Sequence, residues 1–127
     1  MNLLFVGLGG GFGAIARYLA GVSYGRAFGP DRPYMATFCV NILGGLLMGL
    51  LIGVLAFKGG AGSERWRLLL GVGVLGGFTT FSSFSLEAVL MIQRKAYGEL
   101  AGYVAGSVVL SIIAVFVGLA IARRVFA

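Results

Sequence analysis

The chain has no histidine, one cysteine, two prolines and only four acidic side chains in 127 residues. Without histidine there is no imidazole proton relay, no His-dependent zinc site and no serine–histidine nucleophile pair, so little catalytic equipment remains and no enzymatic activity is expected. The lone cysteine, Cys39, lies inside an apolar stretch, which excludes an intramolecular disulfide and argues against a thiolate metal cluster. Charge is scarce as well: 11% of residues are charged and 59% hydrophobic, and mean hydropathy is +1.00. A soluble domain of this size has too little polar surface to cover such a composition, so lipid is the expected solvent.

What is present is four long stretches almost free of charge. Leu3 to Tyr24 holds only Arg17, Tyr34 to Phe57 holds no charge, Leu68 to Gln93 holds only Glu87, and Leu100 to Ala122 holds none. About 20 helical residues at about 1.5 Å rise cross about 30 Å of hydrocarbon, so each stretch can span a bilayer. The spacing predicts an all-α membrane protein with helices over 3–24, 34–57, 67–93 and 99–122, forming one transmembrane domain over residues 1–127. The first stretch lacks the basic leader of a signal peptide and is interrupted by glycine and Arg17, so it is read as the first span.

The formal net charge of +6 does not point to nucleic acid, because the basic residues sit at helix ends, and no nucleic-acid partner is expected. With four spans, one face of the membrane carries Lys58, Arg65, Arg67, Arg123 and Arg124, and the other Arg26, Arg32, Arg94 and Lys95, joined by Arg17 if it reaches that far. The positive-inside rule then has almost no bias to act on. Copies are expected to insert both ways up, which permits an antiparallel, dual-topology homodimer. No internal repeat is visible, so any inverted symmetry has to come from a second copy.

Glycine is abundant, 23 of 127 residues, and much of it recurs every four positions: Gly9, Gly13, Gly21 and Gly25 with Arg17 on one stripe, Gly45, Gly49 and Gly53 with Thr37 and Asn41 on another. Small residues at that spacing let backbones approach closely, and both stripes are expected to be packing seams. Gly9-Gly10-Gly11-Phe12-Gly13-Ala14 matches the dinucleotide fingerprint, but that pattern has meaning only between a strand and a helix, a context absent here.

The third span is the unusual one. It reads Gly76-Gly77-Phe78-Thr79-Thr80-Phe81-Ser82-Ser83-Phe84-Ser85-Leu86-Glu87. A glycine pair followed by two β-branched threonines favours a break over 76–80, and a break frees carbonyls on one side and N–H groups on the other. Bare backbone at that depth is tolerated only where protein or water satisfies it, which is why broken membrane helices mark ion sites: carbonyls from Gly76 to Thr79 suit a cation, half-helix N-termini an anion. Phe78, Phe81 and Phe84 recur every three residues and are expected on one face among Ser82, Ser83 and Ser85, either as core filler or with ring edges turned to an anion. Tyr103, Ser107 and Ser111 form a polar rail on the last span, as either an ion path or inter-helical bonding, and Asn41 and Thr37 extend it. Arg17 and Glu87 are the only charges well inside spans, with snorkelling or a pathway role open to each.

Three segments together resemble the Fluc/CrcB fluoride channels: Gly13-x-x-x-Arg17-Tyr18, then Thr37-Phe38-x-Val40-Asn41-x-x-Gly44, then Gly76-Gly77-x-Thr79-Thr80-Phe81-Ser82-x-Phe84-Ser85-x-Glu87. The resemblance covers the whole chain and its four-span plan. It implies an antiparallel homodimer in the bacterial inner membrane, with two fluoride pores, a central structural Na⁺ and passive export of cytoplasmic fluoride. By motif position it implies Phe81 and Phe84 as a pore aromatic box and Asn41 as a pore polar group. It implies Tyr103, Ser107 and Ser111 as a polar track, Arg17 at the vestibule, and Gly76 and Thr79 carbonyls on the Na⁺. Thr37, Ser82, Ser83 and Glu87 complete the candidate set. The rival reading is a proton-coupled exporter of the small multidrug type, similar in size and charge balance. Such an antiporter needs a membrane-embedded carboxylate, typically in its first helix, where this chain has Arg17 instead. An assembly factor without transport is the third class.

Overall fold

The computed structural model describes every residue from Met1 to Ala127 and is entirely helical. Helix α1 covers Asn2–Phe28 and α2 covers Tyr34–Lys58. The third span runs from Ser63 to Gln93 in pieces: α3 (Ser63–Trp66), a π-helical run over Arg67–Leu75, α4 (Gly76–Phe78) and α5 (Phe81–Gln93). Helix α6 covers Tyr97–Phe126. Four helical spans are thus long and apolar enough to cross a membrane.

Local chemistry explains where the elements begin and stop. Pro33 precedes α2 with φ −62°, a value its ring fixes in advance, and it has no N–H to leave unpaired. Gly29 ends α1 at φ 84°, a conformation open to glycine at no steric cost. Glu99 in the first turn of α6 and Arg123 and Arg124 in its last turn complement the helix dipole. The first helix runs four residues past the expected Tyr24, and the last begins two before and ends four after its expected limits of 99 and 122.

Two helix pairs make the bundle. Gly45, Gly49 and Gly53 of α2 lie against Ser111, Val115, Gly118 and Ala122 of α6, so closely that a Cβ on Gly49 would overlap the Val115 carbonyl and one on Gly118 the Leu46 carbonyl. Gly9 and Gly13 of α1 lie against Leu69, Gly73 and Val74 of the π-helical run, and Gly77 against the Gly10 carbonyl. The second stripe is therefore a packing seam along the three glycines named for it. The first is one only at Gly9 and Gly13, because Gly21 and Gly25 have nothing within 4 Å of where a Cβ would sit. At that height the two glycines line a hollow instead.

The helix break is narrower than the sequence implied. Gly76, Gly77 and Phe78 remain helical, and only Thr79 (φ −79°, ψ 157°) and Thr80 (φ −150°, ψ 123°) are extended. Gly77 is held helical by its contact with α1, and Thr79 still bonds the Leu75 carbonyl twice, through its N–H at 3.0 Å and its hydroxyl at 2.9 Å. The chain restarts at Thr80, whose hydroxyl caps the new helix by accepting the Ser83 N–H at 3.2 Å. The break also separates Phe78 from Phe81 and Phe84. The three rings do not share one helical face: Phe78 stays with the first half, near Gly44, and only the other two belong to α5.

Candidate functional site

Two extended residues in an apolar span leave peptide groups that lipid cannot satisfy, and side chains of neighbouring helices take up part of that task. Asn41 of α2 pairs with both polar groups of Thr80: its Nδ2 donates to the Thr80 carbonyl at 3.0 Å, and its Oδ1 accepts the Thr80 N–H at 2.9 Å. Arg17 of α1 donates from Nε to the Gly77 carbonyl at 3.2 Å. Asn41 therefore supports the break directly, keeping one further amide N–H for another acceptor.

The carbonyls of Gly76 and Thr79 are left differently. In a continuous helix they would accept the N–H groups of Thr80 and Ser83, but those amides go to Asn41 Oδ1 and to Thr80 Oγ1. Thr79's carbonyl accepts no hydrogen bond from anywhere in the chain. Hard oxygens with no competing donor fit an alkali cation, and two per chain are too few to replace its water shell unaided. No group of three or more His, Cys, Asp or Glu side chains lies together elsewhere.

On one side of the break a groove of about 410 Å³ runs between α2, α5 and α6. It gathers Asn41, Thr79, Thr80, Phe81 and Phe84 with Ser107 and Ser111, so residues far apart in sequence share one wall. The Phe81 and Phe84 ring centroids are 5.5 Å apart at 34°, and Phe84 lies 5.2 Å from Tyr103. Phe81 is 79% exposed, so its ring forms the open edge of the groove in a single chain. Ser107 is 6% exposed, and its hydroxyl has no hydrogen-bond partner at all. A buried hydroxyl without a partner is costly and requires an explanation.

The polar rail of α6 is divided by the structure. Ser107 and Ser111 line the groove, whereas buried Tyr103 donates its hydroxyl to Glu87 at 2.5 Å, and Thr37 donates to the other Glu87 oxygen at 2.9 Å. Glu87 is thus held between two hydroxyl donors on two other helices. A second hollow, about 400 Å³, opens on the other side of the break and is lined by Arg17, Thr37, Thr80 and Ser83 together with Gly21 and Gly25, the glycines that have no packing partner. Ser82 is exposed, its hydroxyl 3.2 Å from that of Thr80. Ser85 bonds back to the Phe81 carbonyl at 2.9 Å, the local bonding that a hydroxyl in a helix favours.

Thr80 is the residue that sequence reasoning passed over. It lines both hollows, caps α5 and receives the Asn41 clamp. Its signal was available, since a threonine three residues before Ser83 at the start of a helical stretch is a capping residue. Gly44 is the other: its missing side chain makes room for the Thr79 methyl.

Comparison with known proteins gives consistent results. A family model described as CrcB-like protein, Camphor Resistance (CrcB), matches residues 4–119. A protein of Phenylobacterium zucineum (strain HLK1) named "Fluoride-specific ion channel FluC" is 64% identical over 125 residues, covering 98% of each chain. One of the same name from Caulobacter sp. (strain K31) is 58% identical, covering 98% of this chain and 97% of its own. A third, from Agrobacterium fabrum, is 49% identical over 126 residues, 99% of each.

Proposed function

We propose that this chain, which belongs to the CrcB-like family, is a passive, fluoride-selective channel exporting fluoride across the bacterial inner membrane. The observation that carries the proposal is the groove beside the break, lined by Asn41, Ser111, two phenylalanine rings and Ser107, whose buried hydroxyl has no hydrogen-bond partner. Fluoride is small and strongly hydrated, so a narrow path must replace its water with many donors. The spare Asn41 N–H, the Ser107 and Ser111 hydroxyls and the positively polarised ring edges supply such donors. Arg17, at the second hollow, offers a fixed positive charge that attracts anions toward the break.

In this proposal the functional unit is an antiparallel homodimer with two pores. The near balance of cations on the two faces supports dual insertion, and the open edge at Phe81 supports a pore wall completed by another copy. The Gly76 and Thr79 carbonyls of both copies would hold a structural Na⁺. It would supply positive charge for the carbonyl dipoles that the break strips of donors, and the unpaired Thr79 carbonyl fits that role. Fluoride, lipid and a second copy are then the partners.

The exporter reading is weaker for a stated reason. A proton-coupled antiporter needs a carboxylate free to exchange protons and substrate, and Glu87 is occupied by Thr37 and Tyr103. Liposomes loaded with fluoride and read with a fluoride-selective electrode separate the classes. Uncoupled efflux is the channel, proton-driven cation uptake the exporter, and neither the assembly factor. Phe81→Ile is expected to abolish or sharply cut efflux with dimerisation intact; unchanged flux in that variant removes the ring pair from the path.

A further inference from the structure

At the end of the bundle where α2 hands over to the third span lies a cleft of about 430 Å³ that the ion path does not use. Its floor is apolar, built from Leu51, Val54, Leu55 and Leu70, and its rim is polar, with Lys58, the Gly59–Gly62 loop, Ser63 and Trp66. From Lys58 back to Leu51 is seven residues of helix, so the floor extends about 10 Å into the membrane.

The rim is a set of donors short of acceptors. The N–H groups of Gly60, Ala61 and Gly62 bond to nothing in the chain, since the hydrogen bonds of this loop are Gly59 N–H to Leu55, Ser63 N–H to Gly60 and Trp66 N–H to Gly62. The Lys58 ammonium has no carboxylate partner and sits 5.9 Å from the centre of the Phe126 ring, which holds it at the membrane surface. Arg65, beside Trp66 on a smaller adjoining hollow, is likewise unpaired. The one acid in this stretch, Glu64, is engaged by both nitrogens of the Arg67 fork at 2.8 and 3.0 Å and so does not oppose an incoming anion. Trp66, 55% exposed, has the amphipathic ring that settles at the headgroup level.

An apolar slot about 10 Å deep beneath a cationic, amide-rich rim matches an amphiphile with an anionic head. We infer that this cleft binds an anionic phospholipid, its phosphate on Lys58 and the loop amides and part of one acyl chain on the leucine floor. The inference rests on the chain's position in a membrane and stands apart from the identity of the transported ion.

The test is lipid retention by the purified full-length protein in detergent, read as bound mass by native mass spectrometry. Phosphatidylglycerol, phosphatidylcholine and inorganic phosphate are titrated separately. The wild type is expected to retain phosphatidylglycerol and release phosphatidylcholine. Lys58→Met keeps the apolar stem and is expected to weaken phosphatidylglycerol binding about fivefold, the effect of one lysine at an anionic lipid surface. Lys58→Arg restores it, and Lys95→Met at the opposite end leaves it unchanged. Equal retention of the two lipids, equal retention by wild type and Lys58→Met, or displacement of the lipid by equimolar inorganic phosphate would each overturn the assignment. A Lys58→Met protein that fails to fold leaves the two-lipid comparison and Lys58→Arg to decide.

Discussion

The contact between Gly44 and Thr79 offers a reciprocal test of how the break is held. A Cβ at residue 44 would overlap Thr79 Cγ2, while the next atoms, Thr79 Cβ at 3.6 Å and Phe78 Cδ1 at 3.7 Å, lie at ordinary contact distance. The clash is therefore with one methyl group. Thr79 cannot rotate that methyl away freely, because its hydroxyl on the same Cβ is bonded to the Leu75 carbonyl at 2.9 Å. Gly44→Ala must either break that bond, worth about 0.5–1.5 kcal/mol, or displace packed backbone, for which overpacking costs about 1–3 kcal/mol. Thr79→Ser removes the methyl and keeps the hydroxyl. Gly44→Ala alone is expected to lose roughly 1–3 kcal/mol and to lower fluoride efflux, since the displaced residue borders the groove. Gly44→Ala combined with Thr79→Ser is expected to return to the level of Thr79→Ser alone. Thermal melting in detergent and electrode-monitored efflux measure the two effects. A silent Gly44→Ala, or a double variant no better than Gly44→Ala, would refute the reasoning.

Gly118→Ala and Gly102→Ala separate packing from helix propensity on one helix. The first drives a methyl onto the Leu46 carbonyl and should destabilise by about 1–3 kcal/mol, whereas the second meets nothing within 4 Å and should be neutral or stabilise by up to about 1 kcal/mol; equal melting shifts would show that the α2–α6 seam is not tight. Tyr103→Phe strips one donor from Glu87 and is expected to cost about 1–3 kcal/mol, as for a buried polar group that loses its partner. Thr37→Val removes the other donor and should cost a similar amount, with the double variant showing coupling in a thermodynamic cycle. Reporter fusions to the C-terminus are expected to appear on both sides of the membrane, and a single orientation in cells would remove the dual-topology proposal.

The four spans were readable because composition alone dictates them: stretches such as Tyr34 to Phe57 have no charge to bring to an interface. The existence of a break was readable from Gly76 to Thr80, since local propensity opposes a helix there. Its extent was not, because Gly77 is kept helical by Gly10, a neighbour 67 positions away in the chain. The same limit applies to Phe78, placed on the wrong face by a periodicity that assumed one uninterrupted helix. The π-helical run over Arg67–Leu75 left no mark in the pattern at all. It packs through Gly73 against Gly9, so tertiary approach rather than residue preference accounts for its place. The clamp on Thr80 was equally hidden: Asn41 reads as a polar pore residue in isolation, and its two bonds exist only once α2 lies beside the gap.

That clamp makes one side chain a substitute peptide unit. A carboxamide presents an acceptor and a donor with the spacing of a backbone amide, and it meets Thr80 as a neighbouring strand would. Aspartate would keep only the acceptor, and leucine neither. The peptide groups of Thr80 are therefore fastened to α2 rather than to their own span, and a slip of α2 by a single residue, about 1.5 Å along its axis, would unfasten both bonds together. The opening and the helix beside it have to move as one body.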